Sequence, residues 1–287
     1  RQVWAGKYWI LGFTLVFGLA AFIVAKSTPP TFRADALMQL EENGGQMSLP
    51  TSVRELTAGS PRSVTEIEIL NSRLVLGQAV ADTHMDWITV PRRLPVIGEA
   101  LNQLNLRLPE LEFLRPYANG GEHIELDLLE VPPHWLGQQI LLTIASEDAS
   151  RFTLLLPDQR EIAGQVGQQI TDELLGFGVR VRELEGAPGR EFILAQIDES
   201  AAILGLRSRL SIFERGGQSN ILELSLQGGD RREIERALHA ITQAYLRQNI
   251  SRSAAEAQSS LEFVESQLPE AEEAMRSAEI ALNTYRQ

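Results

Sequence analysis

The rhythm of hydrophobic and polar positions changes several times along the chain, and each change predicts a different element. From Tyr8 to Ala25, "YWILGFTLVFGLAAFIVA" runs eighteen residues without a charge. At about 1.5 Å rise per residue this spans roughly 27 Å, close to the hydrocarbon thickness of a bilayer. A transmembrane helix is therefore predicted. Trp4, Tyr8 and Trp9 stand where an interfacial aromatic belt would be, and Arg1 and Lys7 ahead of the run place the N-terminus in the cytoplasm. A signal peptide is the competing reading, but the run exceeds the h-region of about 7–15 residues and no small-x-small site precedes "KSTPPTF". Pro29 and Pro30 end the helix.

Beyond the prolines the period shortens to two. Phe32, Ala34, Ala36, Met38 and Leu40 alternate with Thr31, Arg33, Asp35, Leu37 and Gln39, as in a half-buried strand. A long polar stretch, "NGGQMSLPTSVRELTAGSP", follows at 43–61, with room for a short helix at its centre. "SVTEIEILNSRLVLGQAVAD" (63–82) returns to helical spacing, with Ser63 and Glu66 at capping-box separation. A second helix is predicted from Pro95 through "VIGEALNQLNL". From 122 to 197 the pattern is mainly β: "HIELDLLEV", "QILLTIA", "RFTLLLP", "GVRVREL" and "EFILAQI", punctuated by turn-forming "PP", "PDQ" and "EGAPG". A short helix at 198–208 and a strand pair around Gly216 and Gly217 complete this part.

Asp230, with Glu233 three residues on, opens a long helix. Its early apolar positions, Ile234, Leu238, Ile241 and Tyr245, are out of phase with a later set: Leu261, Val264, Leu268, Ala271, Met275, Ala278, Leu282 and Tyr285. The later spacing, 3, 4, 3, 4, 3, 4, 3, is a coiled-coil seam and makes these eight residues the candidate packing surface. The polar stretch "RQNISRSAAEAQ" separates the two sets, which predicts a helix that leaves its domain and finds new partners. Pro269 falls at an outward position when Leu268 is an a position; an elbow, with the helix ending at Leu268 and restarting, is the alternative. The architecture expected is α+β: an N-terminal transmembrane helix with its flanks (1–28), a membrane-proximal mixed α/β domain (29–229) and a long C-terminal coiled-coil helix (230–287).

Composition narrows the function. Acidic residues outnumber basic ones 38 to 26, a net charge of −12, which argues against a nucleic-acid surface. The chain has no cysteine, so thiolate metal sites, thiol nucleophiles and disulfides are excluded. Gly6-Lys7 lacks the rest of a phosphate loop. His84, His123, His134 and His239 follow no metal-ligand spacing and read as surface or hydrogen-bonded histidines. Glu41-Glu42 and Glu272-Glu273 read as solvated acids, and the glycosylation pattern at Asn249-Ile250-Ser251 falls in a predicted helix. Trp87 and Trp135 could stack on a sugar, but core packing is the simpler reading. No catalytic, cofactor or metal residue is assigned, and the remaining parts are mechanical: an anchor, a domain and an arm.

Four stretches, "FRADALMQLEE", "SVTEIEILNSRLVLGQAVAD", "EGAPGREF" and residues 245–287, resemble in order the Wzz-type chain-length determinants, or polysaccharide co-polymerases, of the bacterial envelope. The likeness is closest to the branch fused to a cytoplasmic tyrosine autokinase. It implies an inner-membrane protein, periplasmic after about residue 28, that forms a ring homo-oligomer. Partners would be the bilayer, the polysaccharide polymerase, the outer-membrane export machinery and the polysaccharide itself. ATP and magnesium would belong to a cytoplasmic kinase domain absent from this sequence, as are the returning helix and the second membrane span that would lead to it. The seam then reads as the outgoing limb of a helical hairpin. Two other readings are a periplasmic sensor region of a two-pass receptor kinase, and an export-pump adaptor; the latter would interrupt a lipoyl-like β module with its hairpin, whereas here the long helix follows a mixed α/β domain.

Overall fold

Alternation in 32–39 produces an edge strand whose small inward residues let a helix approach closely. The computed structural model describes residues 7–27, 30–40, 62–94, 98, 112–118, 120–172, 174–216 and 219–286. Strand β1 (Phe32–Gln39) pairs antiparallel with β11 (Ile221–Gly228), which pairs on its other side with β10 (Leu210–Glu214). The register sets Ala34 opposite Leu226, Ala36 opposite Leu224 and Met38 opposite Leu222, so these six share the face turned to the helices. Four helices form that layer: α2 (Arg62–Leu70), α3 (Arg73–Thr83), α4 (Glu199–Arg209) and the start of α5 (Arg231–Arg286). Leu70, Leu76, Leu206, Leu222, Leu224 and Leu226 are all fully buried there. Each contributes roughly 1.5–3 kcal/mol of transfer free energy.

A second core is entirely β. Strands β2 (Trp87–Pro91), β9 (Glu191–Gln196), β4 (Ile140–Ile144), β5 (Arg151–Leu155) and β6 (Glu161–Gln165) form one antiparallel sheet in that order. Strands β3 (His123–Glu130), β8 (Phe177–Glu185) and β7 (Gln169–Asp172) form another. Phe152, Phe177, Phe192, Leu142, Leu154, Val179 and Leu194 fill the common interior, with Trp135 edge-on to Phe177 at 5.9 Å. Trp135 is thus a core residue, while Trp87 is half-buried and stacked on His84 at 3.9 Å.

The two ends of the β unit meet. Trp87 is paired with Gln196, the Ile197 amide donates to the Asp86 carbonyl, and Gln196 donates to the Asp86 carboxylate at 2.8 Å. The β unit is therefore inserted between α3 and α4, which still pack on one another. Gly77 of α3 makes that close: a Cβ there would lie 3.4 Å from both Glu199 and Ile203. The "EGAPGREF" stretch is the β8–β9 turn. Arg190 within it ion-pairs with the largely covered carboxylate of half-buried Glu122 and donates to the carbonyls of Leu114, Arg115 and Tyr117, pinning segment 112–118.

The expected α+β class with a long C-terminal helix is what the structure shows, with differences in detail. The single helix expected at 63–82 breaks at Asn71-Ser72, because Ser72 caps α3 by accepting from the Val75 amide and Asn71 folds back to the Ile67 carbonyl. Strands β2, β6 and β7 were not expected. The polar stretch 43–61 and, apart from Gly98, the helix expected from Pro95 lie outside the described residues. Helix α1 (Lys7–Ser27) covers the uncharged run. Among the described residues no helix is long and apolar enough to cross a membrane, so the transmembrane reading rests on the sequence of 8–25.

At the β11–α5 junction, a Cβ on Gly228 would come within 2.5 Å of the buried Ile234, whereas one on Gly229 would meet nothing within 4 Å. Gly228→Ala is expected to destabilise by about 1–3 kcal/mol through overpacking. Gly229→Ala should stay within about 0.5 kcal/mol. Urea unfolding of both variants tests the contrast.

Candidate functional site

Helix α5 changes character along its fifty-six residues. Asp230 caps it, its Oδ1 accepting from the amides of Arg232 and Glu233, while the Glu233 side chain turns to Arg209 instead of closing a capping box. Ile234, Ala237, Leu238, Ala240, Ile241, Ala244 and Tyr245 are buried in the core shared with the sheet and α3. Past Ile250, apart from partly buried Arg252, every described side chain is exposed.

Where the helix leaves the core, polar groups from α2 and α3 hold it. The Glu66 carboxylate, buried to 3% exposure, accepts from the Tyr245 hydroxyl at 2.9 Å and from Arg252 Nη2 at 3.1 Å; Arg252 also donates to Asn249. Glu66 is thus drawn inward to the neck, and Ser63, its capping-box partner by spacing, lies inside α2 and is not the N-cap. On α3, Asp82 accepts from Arg247 at 2.6 Å and from Gln78. Partial burial works to raise the Asp82 pKa, but the hydrogen bonds from Gln78 and Arg247 outweigh it and hold the carboxyl below its ordinary value. The sign follows: this tether stabilises above the unfolded-state pKa of Asp82 and is lost as pH falls through the lower folded-state value.

Beyond the neck, the structure places Leu261, Val264, Leu268, Met275, Leu282 and Tyr285 along one side of α5, each 53–91% exposed, with Ala271 and Ala278 exposed between them. From Leu261 to Tyr285 the stripe runs about 36 Å. At about 100° per residue it is turned roughly 100–150° from the face of Ile234 and Tyr245, so the core that holds the start of the helix cannot reach round to cover it. Pro269 lies inside the helix and is exposed; α5 passes through it unbroken, so the elbow is not formed. The missing amide at Pro269 costs one backbone hydrogen bond on the solvent side and leaves the apolar stripe continuous. A seam this exposed is suited to helix–helix packing with another surface.

Sequence reading identified the stripe but not the neck. Glu66, Asp82 and Arg252 carried no periodic signal, and the partners of Glu66 lie 179 and 186 residues away in sequence. Sequence spacing reads His123 as a surface or hydrogen-bonded histidine; the structure leaves it exposed, and the β3–β8 pairing brings it beside Glu125 and Glu183.

Comparison with known proteins fits this division of the chain. Residues 1–83 match the family described as chain length determinant protein. Residues 87–197, the inserted β unit, match the N-terminal domain of tyrosine-protein kinase Wzc. Over 286 residues, all of this chain, it is 31% identical to the tyrosine-protein kinase etk of Escherichia coli K12. It is 31% identical over 281 residues to the tyrosine-protein kinase wzc of Salmonella typhimurium, and 31% over 287 to the putative tyrosine-protein kinase EpsB of Ralstonia solanacearum, with 98% of this chain covered in each. The chain spans only 37–38% of the length of these three relatives.

Tyr245→Phe removes a hydrogen bond to a buried carboxylate and is expected to cost about 1.5–3 kcal/mol. Arg252→Ala, whose side chain is 34% exposed, should cost less. Asp82→Asn should flatten the acid side of the stability profile. Urea unfolding between neutral and acidic pH measures all three.

Proposed function

We propose, on the premise that the chain belongs to the Wzz-type chain-length-determinant family in its Wzc-like branch, that it is the assembly region of a polysaccharide co-polymerase. In this reading it controls the assembly, chain length and export of capsular or exopolysaccharide through ring oligomerisation. It forms part of a tyrosine autokinase whose kinase domain, with its ATP and magnesium, lies outside this sequence. The names of the relatives support the kinase connection, and the match to the chain length determinant family supports the polymer role. The sequence of 8–25 favours an anchor in the bacterial inner membrane, with the N-terminus cytoplasmic and the rest of the chain periplasmic.

The observation that carries the reading is the exposed seam of α5. An isolated helix of this kind gains little from propensity alone, and apolar side chains standing in water at heptad spacing are stabilised when another helix covers them. The eight seam residues therefore act as contacts between this arm and its neighbours, either the returning limb of the same protein or adjacent subunits. Polysaccharide polymerase, export machinery and polymer would meet the assembled ring, and polymer length would follow from its geometry.

Leu261→Asp and Leu268→Asp each place a charge within the seam while leaving the buried cores untouched. Both are expected to lower the assembly mass seen by native mass spectrometry of the detergent-purified protein, with an unchanged thermal midpoint for the core. In cells making the polymer, both should shift its length distribution. Unchanged assembly mass in both variants would count against the seam as the assembly surface.

A further inference from the structure

We propose that the β3–β8 strand pair carries a divalent-cation site formed by His123, Glu125 and Glu183, of the kind that takes zinc. The proposal stands independently of the assembly role. His123 and Glu125 are two residues apart on β3 and so share a face, and the register sets Glu183 of β8 directly opposite Glu125. One ligand atom from each of the three lies within 4.8 Å of the others. That is close to the span of two metal–ligand bonds of about 2.0–2.2 Å, so modest side-chain rotation brings all three onto one ion.

The cluster is not explained by internal pairing. Among the described residues, neither the His123 imidazole nor the Glu183 carboxylate has a side-chain hydrogen-bond or ion-pair partner, and both are exposed. Glu125 has Arg182 at 3.2 Å, but Arg182 also binds Asp127 and is shared between them. Carboxylates directly opposite on neighbouring strands repel, and here Glu185, opposite His123, adds a third to the same patch. A cation would offset that repulsion. One imidazole nitrogen with two carboxylate oxygens is a zinc-type donor set, and solvent access leaves further positions for water. The ion would tie edge strand β3 to β8 beside the register shift at Glu125 and Leu126, and by binding only the folded pair it would stabilise the β unit.

The test is a calorimetric titration of the tag-free, chelator-treated full chain in detergent with zinc chloride, repeated with cobalt(II) chloride followed by visible absorption. One equivalent of each metal is expected to bind. His123→Ala and Glu183→Gln should each weaken binding by about tenfold or more, with metal-free thermal midpoints unchanged. Glu130→Gln, on the same strand outside the cluster, should bind as the unaltered chain does. Absence of saturable binding overturns the proposal. So does equal affinity in the unaltered chain and both cluster variants, which would place the ion elsewhere, such as at His84, His134 or His239.

Discussion

Everything distal in this molecule depends on the burial of the first four turns of α5 against helix α3 and strands β1 and β11. Past the neck at Arg252, every described side chain of the helix is exposed, so the direction of the arm is set at its root and neck. Ile234, Ala237, Ile241 and Ala244 fix the rotation of the helix about its axis, and the small residues Ala34 and Ala36 let it lie close on the sheet. Over an arm of this length a small angular error at the root becomes a large displacement at the tip. This gives a physical reason for the polar neck. Apolar packing is adaptable in angle, whereas the hydrogen bonds of Glu66 to Tyr245 and Arg252 are directional. The buried carboxylate is costly to desolvate, and it is tolerated because charged and hydroxyl donors surround it.

The inserted β unit is arranged so that it does not disturb this root. Its entry and exit strands are paired through Trp87 and Gln196, and the two helices it separates, α3 and α4, pack at Gly77 as though the intervening segment were a short loop. Among the described residues, the buried side chains of its core lie between Ile124 and Leu194, with half-buried Trp87 packed against them, and the α/β core draws on none of these. Two families of sequence matching on either side of residues 84–86 are therefore reflected in two separately filled interiors.

What could be read from sequence was what is periodic and local. The alternation of Phe32 to Leu40, the short helix before Leu210, the strand pair around Gly216 and the heptads after Leu261 each declare themselves within a few residues. Strands β2, β6 and β7 do not. β2 ends in Pro91 and holds its place through β9, about a hundred residues away. β6 is an edge strand with half-buried Ile162, exposed Ala163 and a glycine, Gly164, pressed against Phe152. The break at Asn71-Ser72 lies inside a continuous helical pattern, where side-chain capping overrides periodicity. Glu66 was legible as a capping residue by spacing, and its actual role required knowing that Tyr245 would arrive beside it. The partition into two cores was invisible for the same reason: pairings such as β1 with β11 are set by the fold as a whole.

The relation between the two apolar faces of α5 limits what the arm can do. Had the late seam continued the phase of Ile234 and Tyr245, the arm could have been an overlong core helix whose exposed part merely extended a buried face. The polar interval from Arg247 to Gln258 instead shifts the phase, so the stripe beginning at Leu261 looks away from the protein's own sheet. A helix that extended only to reach would not need apolar residues on a face that its own domain cannot cover, and in water they add cost without return. Pro269 fits the same logic. It sits off the stripe, where its missing amide faces solvent, and no seam position is sacrificed to it. The arm thus presents an apolar surface turned away from its own domain, and the rigidity of the neck sets the direction in which that surface is held.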